Sequence, residues 1–161
     1  MFGGLDLAAK ETNIRGLCII DDSIELYTVY DNDVILKLLS DLEVTAIDAP
    51  LTEKKVAYRD AERELMKDYG PIFPINMMGM KKLSERGLGI KEELSGEVIE
   101  TFPRGVEKSL KIDRYELDIY FENEHEYDAY LCALAAKGYY EGRYKSYGKD
   151  EVIIIPKLKE E

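Results

Sequence analysis

Three short apolar runs in this chain each close on a carboxylate: GGLDLA around Asp6, TAIDAP around Asp48 and VIETFP around Glu100. Runs of this length and apolar content read as buried strands. Parallel strands finish at one edge of a sheet, which is where open α/β folds place their ligand crevice. A fourth acid, Asp128 in EYDAYLCALAA, falls near the start of an amphipathic helix. Carboxylates gathered at one edge repel by roughly 4 kcal/mol per pair at about 4 Å and an effective dielectric near 20. A hard divalent cation, Mg²⁺ or Mn²⁺, is what relieves such repulsion.

The elements between these runs follow from spacing. Residues 2–8, 15–21 and 24–30 read as strands, the last two joined across Asp22 and Ser23 in an antiparallel meander, with AKETN (9–13) as a turn after the first. Asp31 or Asn32 caps a short helix over VILKLLSDL, and Val44 to Asp48 form a strand that Ala49-Pro50 stops. A helix is expected over 55–69, closed by Gly70 and Pro71, with Arg59 and Arg63 one turn apart on one face. PIFPINMMGM (71–80) reads as an irregular Met-rich loop, and KKLSERG and IKEELSG as two short helical turns ending at Gly87 and Gly96.

Glu97 to Phe102 form a fifth strand ended by Pro103, and in it Glu100 interrupts an apolar stripe, so it needs a partner or a purpose. Asn123 followed by Glu126 gives a capping-box pattern for a helix running to about Lys137, and EVIIIP closes the chain as a late strand or extended edge segment. The order is that of an α/β domain with a mixed sheet, one domain over 1–161 with a helical insertion at about 50–96.

Composition narrows the function. The 161 residues, 45% of them apolar, fit one domain with a substantial core. No run approaches the roughly 20 apolar residues of a membrane span, and the start MFGGLDLAAKE is no secretory leader, so a soluble cytoplasmic protein is expected. Cys18 and Cys132 lack metal or redox spacing and read as reduced packing residues. The single histidine, His125, shares a helix face with Asp128 and reads as a solvated or capping residue. The absence of Gln and Trp beside abundant Lys, Glu and Ile leans toward a thermophilic source. A net charge of −11 argues against a general nucleic-acid coat protein, though not against a local basic track. KGYYEGRYKSYGK (137–149) offers one, with Arg143 and Lys145 among tyrosines that can stack bases, against the plainer reading of a Tyr-rich loop packed on the core.

The succession GGLDLAA, AIDAPL, the R-x-x-x-R of Arg59 and Arg63, Met-Gly-Met followed by LSERG, VIETFPR, the Asp128-Ala129 dipeptide and the closing IIIP resembles the domain of unknown function four-twenty-nine family, described as predicted nucleases of the ribonuclease H fold. The resemblance runs from about residue 3 to residue 156. It implies a ribonuclease H-like five-stranded mixed sheet, the first three strands antiparallel, the fourth and fifth parallel to the first, with helices on both faces. It also implies that Asp6, Asp48 and Asp128 hold two Mg²⁺ or Mn²⁺ ions, with Glu100 as a further acid of the catalytic set. The family's Glu-Gly before the closing apolar run is missing at Asp150, Glu151 and Val152, so Glu151 is given no role.

The resulting expectation is a divalent-metal-dependent nuclease of the two-metal type, with Arg59, Arg63, Arg104, Arg143 and Lys145 neutralising the phosphates of a nucleic-acid substrate. A nucleotide-binding phosphotransferase or ATPase of related fold is the alternative, but Leu7-Ala8-Ala9-Lys10 stands where a Gly-rich phosphate turn is needed. A non-enzymatic binding protein retaining the fold suits the acidic balance. It gives no reason to keep four clustered charges.

Overall fold

A computed structural model of the chain describes residues 1–8 and 14–159. Its strands are β1 (Phe2–Asp6), β2 (Arg15–Ile20), β3 (Ile24–Val29), β4 (Val44–Asp48), β5 (Glu97–Thr101), β6 (Tyr144–Tyr147) and β7 (Ile153–Pro156). Its α-helices are α1 (Asn32–Leu39), α2 (Asp60–Tyr69), α3 (Met80–Glu93), α4 (Pro103–Ser109) and α5 (Glu124–Tyr140). The strands form one mixed sheet in the order β3-β2-β1-β4-β5-β7-β6. β1, β2 and β3 form an antiparallel meander, β4 lies parallel to β1, and β5 parallel to β4. β7 pairs parallel with β5 over two positions, and β6 pairs antiparallel with β7.

The architecture is α/β, as the element order implies, but among the described residues the sheet has seven strands and not five. The two further strands are β7, in the closing EVIIIP segment expected as a late strand or extended edge, and β6, in the segment that reads as a Tyr-rich loop. Tyr147 is buried while Lys145 and Ser146 are exposed, and the segment pairs with the buried Ile153–Ile155 run. Gly148, at φ 103°, takes the left-handed backbone that starts the turn between the two strands.

Two buried clusters line the two faces of the sheet. On one face α5, with Leu65 of α2 and Val106 of α4, packs over Cys18, Val44, Ala46 and Ile99. On the other, Ile35 and Leu39 of α1, Ile90 of α3 and Leu94 just after it pack over Leu5, Leu17, Ile19, Ile47 and Val98. Successive strand residues face opposite ways, so Asp6 shares the α5 side with Gly4, and Asp48 shares it with Ala46. By the same alternation Glu100 shares the α1/α3 side with Val98. Helix α5 sits directly on the backbone of β1 and β2. A Cβ at Gly4 would lie 2.0 Å from the Ala129 carbonyl oxygen, and one at Gly16 would lie 1.9 Å from that of His125.

Several boundaries differ from the sequence expectation, each for a local reason. The helix expected over 55–69 starts at Asp60, because Arg59 is its N-cap and donates its backbone N–H to the Glu62 carboxylate three residues on. The two turns expected to end at Gly87 and Gly96 are one helix, α3, that runs through Gly87. Gly87 is buried there because a Cβ would come within 2.8 Å of Leu51 Cδ2, so this glycine serves packing and not termination. Pro103 does end β5, but it also opens α4 at the first helical position, where its missing N–H costs nothing. Asn123 caps α5 by accepting from the Glu126 N–H, and the helix continues to Tyr140. The turn expected at AKETN lies outside the described residues. Cys18 and Cys132 are buried free thiols.

Gly4→Ala should lower the unfolding free energy by about 3 kcal/mol, the upper end of what overpacking usually costs, seen as a lower urea midpoint. A variant as stable as the native chain would show that α5 can back away from β1 without loss.

Candidate functional site

Asp6 and Asp48 are register partners at the ends of adjacent parallel strands. Both lie on the α5 side, close enough that each acts on the carboxyl group of the other. His125, in the first turn of α5, places Nδ1 2.8 Å from Asp6 Oδ2. Asp128 follows three residues later on the same helix face, close enough that its charge acts on Asp48 and that of Asp6 acts on it. Arg104, in the first turn of α4, forms an ion pair with Asp128 and contacts Glu107 at 3.4 Å.

Burial raises the Asp48 carboxyl well above the ordinary range, and the charges of Asp6, Asp128 and Glu100 raise it further, with Arg104 opposing. Asp6 is also raised by burial, against the pull of His125, Asp48 and Arg104. Asp128 is pushed up to about 6, again first by burial, with Arg104 opposing and Asp6, Glu124 and Glu107 adding. Burial and mutual repulsion thus both work against full ionisation of the cluster. Beneath it, burial and then the charges of Asp48, Asp6 and Asp128 raise the Cys132 thiol.

The donor chemistry, three hard carboxylates in mutual repulsion, suits Mg²⁺ or Mn²⁺. Among the described residues no three His, Cys, Asp or Glu side chains are already set as the ligands of a cation. Asp6 is engaged by His125 and Asp128 by Arg104, so a cation would have to take oxygens that now have partners.

The other residues singled out in the sequence lie elsewhere. Glu100 accepts from Arg59 Nη1 at 3.1 Å, Arg59 Nη2 at 2.7 Å and the Leu51 N–H at 2.8 Å. Burial raises its carboxyl, and Arg59 and Leu51 draw it partly back, to about 7. Arg59 is only 4% exposed and also meets Glu62, with Glu151 at 3.6 Å. Burial works against its charge, but the hydrogen bonds it donates to Glu62 and Glu100 outweigh it and raise its pKa. A guanidinium so enclosed by acids is a structural counterion and presents nothing to a phosphate. Glu151, without a role in the sequence reading, also accepts from Thr52 Oγ1 at 2.6 Å, so it helps to fix the segment after β4.

Arg63 is exposed on α2. Arg143 pairs with Glu141 and donates to the Lys157 carbonyl. Lys145 pairs with Asp68 at 3.0 Å and lies over the Tyr147 ring. These last two belong to the β6 region, which β5 and β7 separate from β4. The structure thus gathers Asp6, Asp48, Asp128 and Arg104, adds His125, and leaves Glu100, Arg59, Arg63, Arg143 and Lys145 outside the group. His125 was visible in the sequence only as the i−3 neighbour of Asp128.

Two cavities, of about 740 Å³ and 590 Å³, share Thr52, Glu53, Lys54, Leu88 and Glu92 as lining, and neither is lined by the three aspartates. The aspartate cluster sits instead at the sheet edge. Among the described residues no helix is long and apolar enough to cross a membrane. No family model, curated protein or solved structure matches the chain.

Two outcomes follow from these charges. The folded state binds the Asp128 proton more tightly than the unfolded chain does, so in metal-free buffer its contribution to stability falls as pH rises from about 4 to about 6. The loss is at most about 3 kcal/mol, and Asp128→Asn should flatten that part of the profile of urea midpoint against pH. Arg59→Ala should destabilise by about 4 kcal/mol, because it strands buried carboxylates without their counterion; urea unfolding at neutral pH measures it.

Proposed function

We propose that the chain is a cytoplasmic, divalent-metal-dependent nuclease of the ribonuclease H-like class, hydrolysing phosphodiester bonds in nucleic acid with Mg²⁺ or Mn²⁺. The observation that carries the reading is the register of Asp6 with Asp48 at the ends of adjacent parallel strands, with Asp128 brought to them by α5. The order β3-β2-β1-β4-β5, with β4 and β5 parallel to β1, is the arrangement implied by the resemblance of GGLDLAA, AIDAPL and VIETFPR to the domain of unknown function four-twenty-nine family. β7 and β6 extend that sheet at its far edge.

Asp6, Asp48 and Asp128 are the residues that would hold the metal. Bound there, divalent cations supply an activated water and a counter-charge for the leaving oxygen. The chain's own residues prepare the place. His125 fixes the orientation of Asp6 from the solvent side. Glu100 serves from behind: its bond to the Leu51 N–H anchors the chain just after Asp48, and Arg59 keeps Glu100 in place. With a net charge of −11 the chain attracts long unstructured nucleic acid poorly, so a short or particularly shaped substrate fits best.

Millimolar Mn²⁺ should raise the melting temperature of the native chain, since a ligand of the folded state stabilises it by mass action, and Asp6→Asn should lose most of that rise. On a panel of single-stranded, duplex, hybrid and branched substrates, cutting should require the divalent cation, and Asp48→Asn should abolish it. A panel left uncut by a chain that still gains stability with Mn²⁺ would exclude nuclease activity and leave a metal-binding protein.

A further inference from the structure

Among the described residues, Arg104 is a cation that the structure brings to the aspartates: it pairs with Asp128, and its charge also acts on Asp6 and Asp48. It engages Asp128 through one guanidinium nitrogen while the other faces Glu107, and its charge opposes the crowding at Asp6 and Asp48 as well. The pair is open to solvent, with 46% of the Arg104 side chain and 26% of that of Asp128 exposed. Ion pairs of that exposure are weak. Arg104 has somewhere to stay when the pair breaks, because its guanidinium also lies 5.7 Å from the centre of the Tyr127 ring and within reach of Glu107. Tyr127 is itself fixed, its hydroxyl donating to Glu107 and its ring packed on Phe121.

From this geometry we propose that Arg104 is an exchangeable counterion: it holds Asp128 in the cation-free protein, yields Asp128 to the divalent cation, and then offers its freed guanidinium to a phosphate of the substrate. The inference rests on the cation site of the preceding section. It adds a coupling that the site alone does not require. Cation and Arg104 compete for Asp128, while cation and phosphate cooperate, because a guanidinium released from a carboxylate regains the planar donor pair that matches phosphate. Arg104 is then a positioning residue in the empty protein and a substrate contact in the loaded one.

Mn²⁺ affinity measured by electron paramagnetic resonance of free Mn²⁺, on the whole chain, tests the first half. Arg104→Gln should bind Mn²⁺ about three-fold tighter than the native chain, the ratio expected when a weak ion pair no longer competes. Arg104→Lys, which keeps the charge, should bind close to the native value. Titration with inorganic phosphate at saturating Mg²⁺ tests the second half: phosphate should bind the native chain measurably and Arg104→Gln several-fold more weakly. Circular dichroism of each variant shows that the fold is retained, as the exposure of the side chain leads one to expect. If the native chain binds Mn²⁺ and Arg104→Gln binds it no tighter, the exchange is overturned while the cation site stands. If neither binds Mn²⁺, both fall. Phosphate binding equally well to the native chain and to Arg104→Gln would overturn the role toward substrate.

Discussion

The contact on which the arrangement depends is the seating of helix α5 on the bare backbone of β1 and β2. At Gly4 and Gly16 the helix backbone occupies the space where a Cβ would stand, and Ala129 and Ala133 keep the helix side of the contact small. Nothing larger than a methyl group separates helix from sheet there. That close approach brings the first turns of α5 level with the ends of the strands, so that His125 meets Asp6 and the charge of Asp128 reaches Asp48. A helix held farther off by ordinary side chains would leave the two strand aspartates facing solvent alone.

A second constraint is the period of two along the strands. It puts Asp48 and Glu100 on opposite faces although they sit at the ends of neighbouring strands, and the two carboxylates meet different fates. Asp48 is buried beside like charges, and both raise its carboxyl above the ordinary range. Glu100 faces a buried guanidinium and joins Glu62 and Glu151 around Arg59, tying α2, β5 and the start of β7 to the segment after β4. Buried ion pairs of this sort contribute little net stability but make the loss of one partner costly. The network gives the irregular chain between β4 and α2 a fixed course, which its sequence of small, polar and β-branched residues would not impose.

Much of this was legible in the sequence because it depends on local pattern. The strand runs carrying Asp6, Asp48 and Glu100, the cap at Asn123 and the helix carrying Asp128 all follow from periodicity and capping chemistry. What could not be read depends on contacts between distant segments. Gly87 looks like a helix stop until Leu51 is seen against it. Arg59 has the spacing of a phosphate ligand, and only the fold shows Glu100 and Glu151 closing around it. Tyr144–Tyr147 has the composition of a loop and becomes a strand because Ile153–Ile155 supplies an apolar partner. His125 carries no pattern of its own, and its proximity to Asp6 comes from the glycine in β2 opposite that residue.

The crowding of acids has a consequence for sulfur chemistry. Cys132 lies one turn along α5 from Asp128, fully enclosed, with all three aspartates disfavouring its thiolate. Oxidants and alkylating agents attack the thiolate, not the thiol. The chain can therefore keep a cysteine directly beneath a polar edge without exposing it to sulfenic acid formation or to disulfide exchange. Burial first, and the carboxylates with it, keep the Cys132 sulfur in its unreactive thiol form.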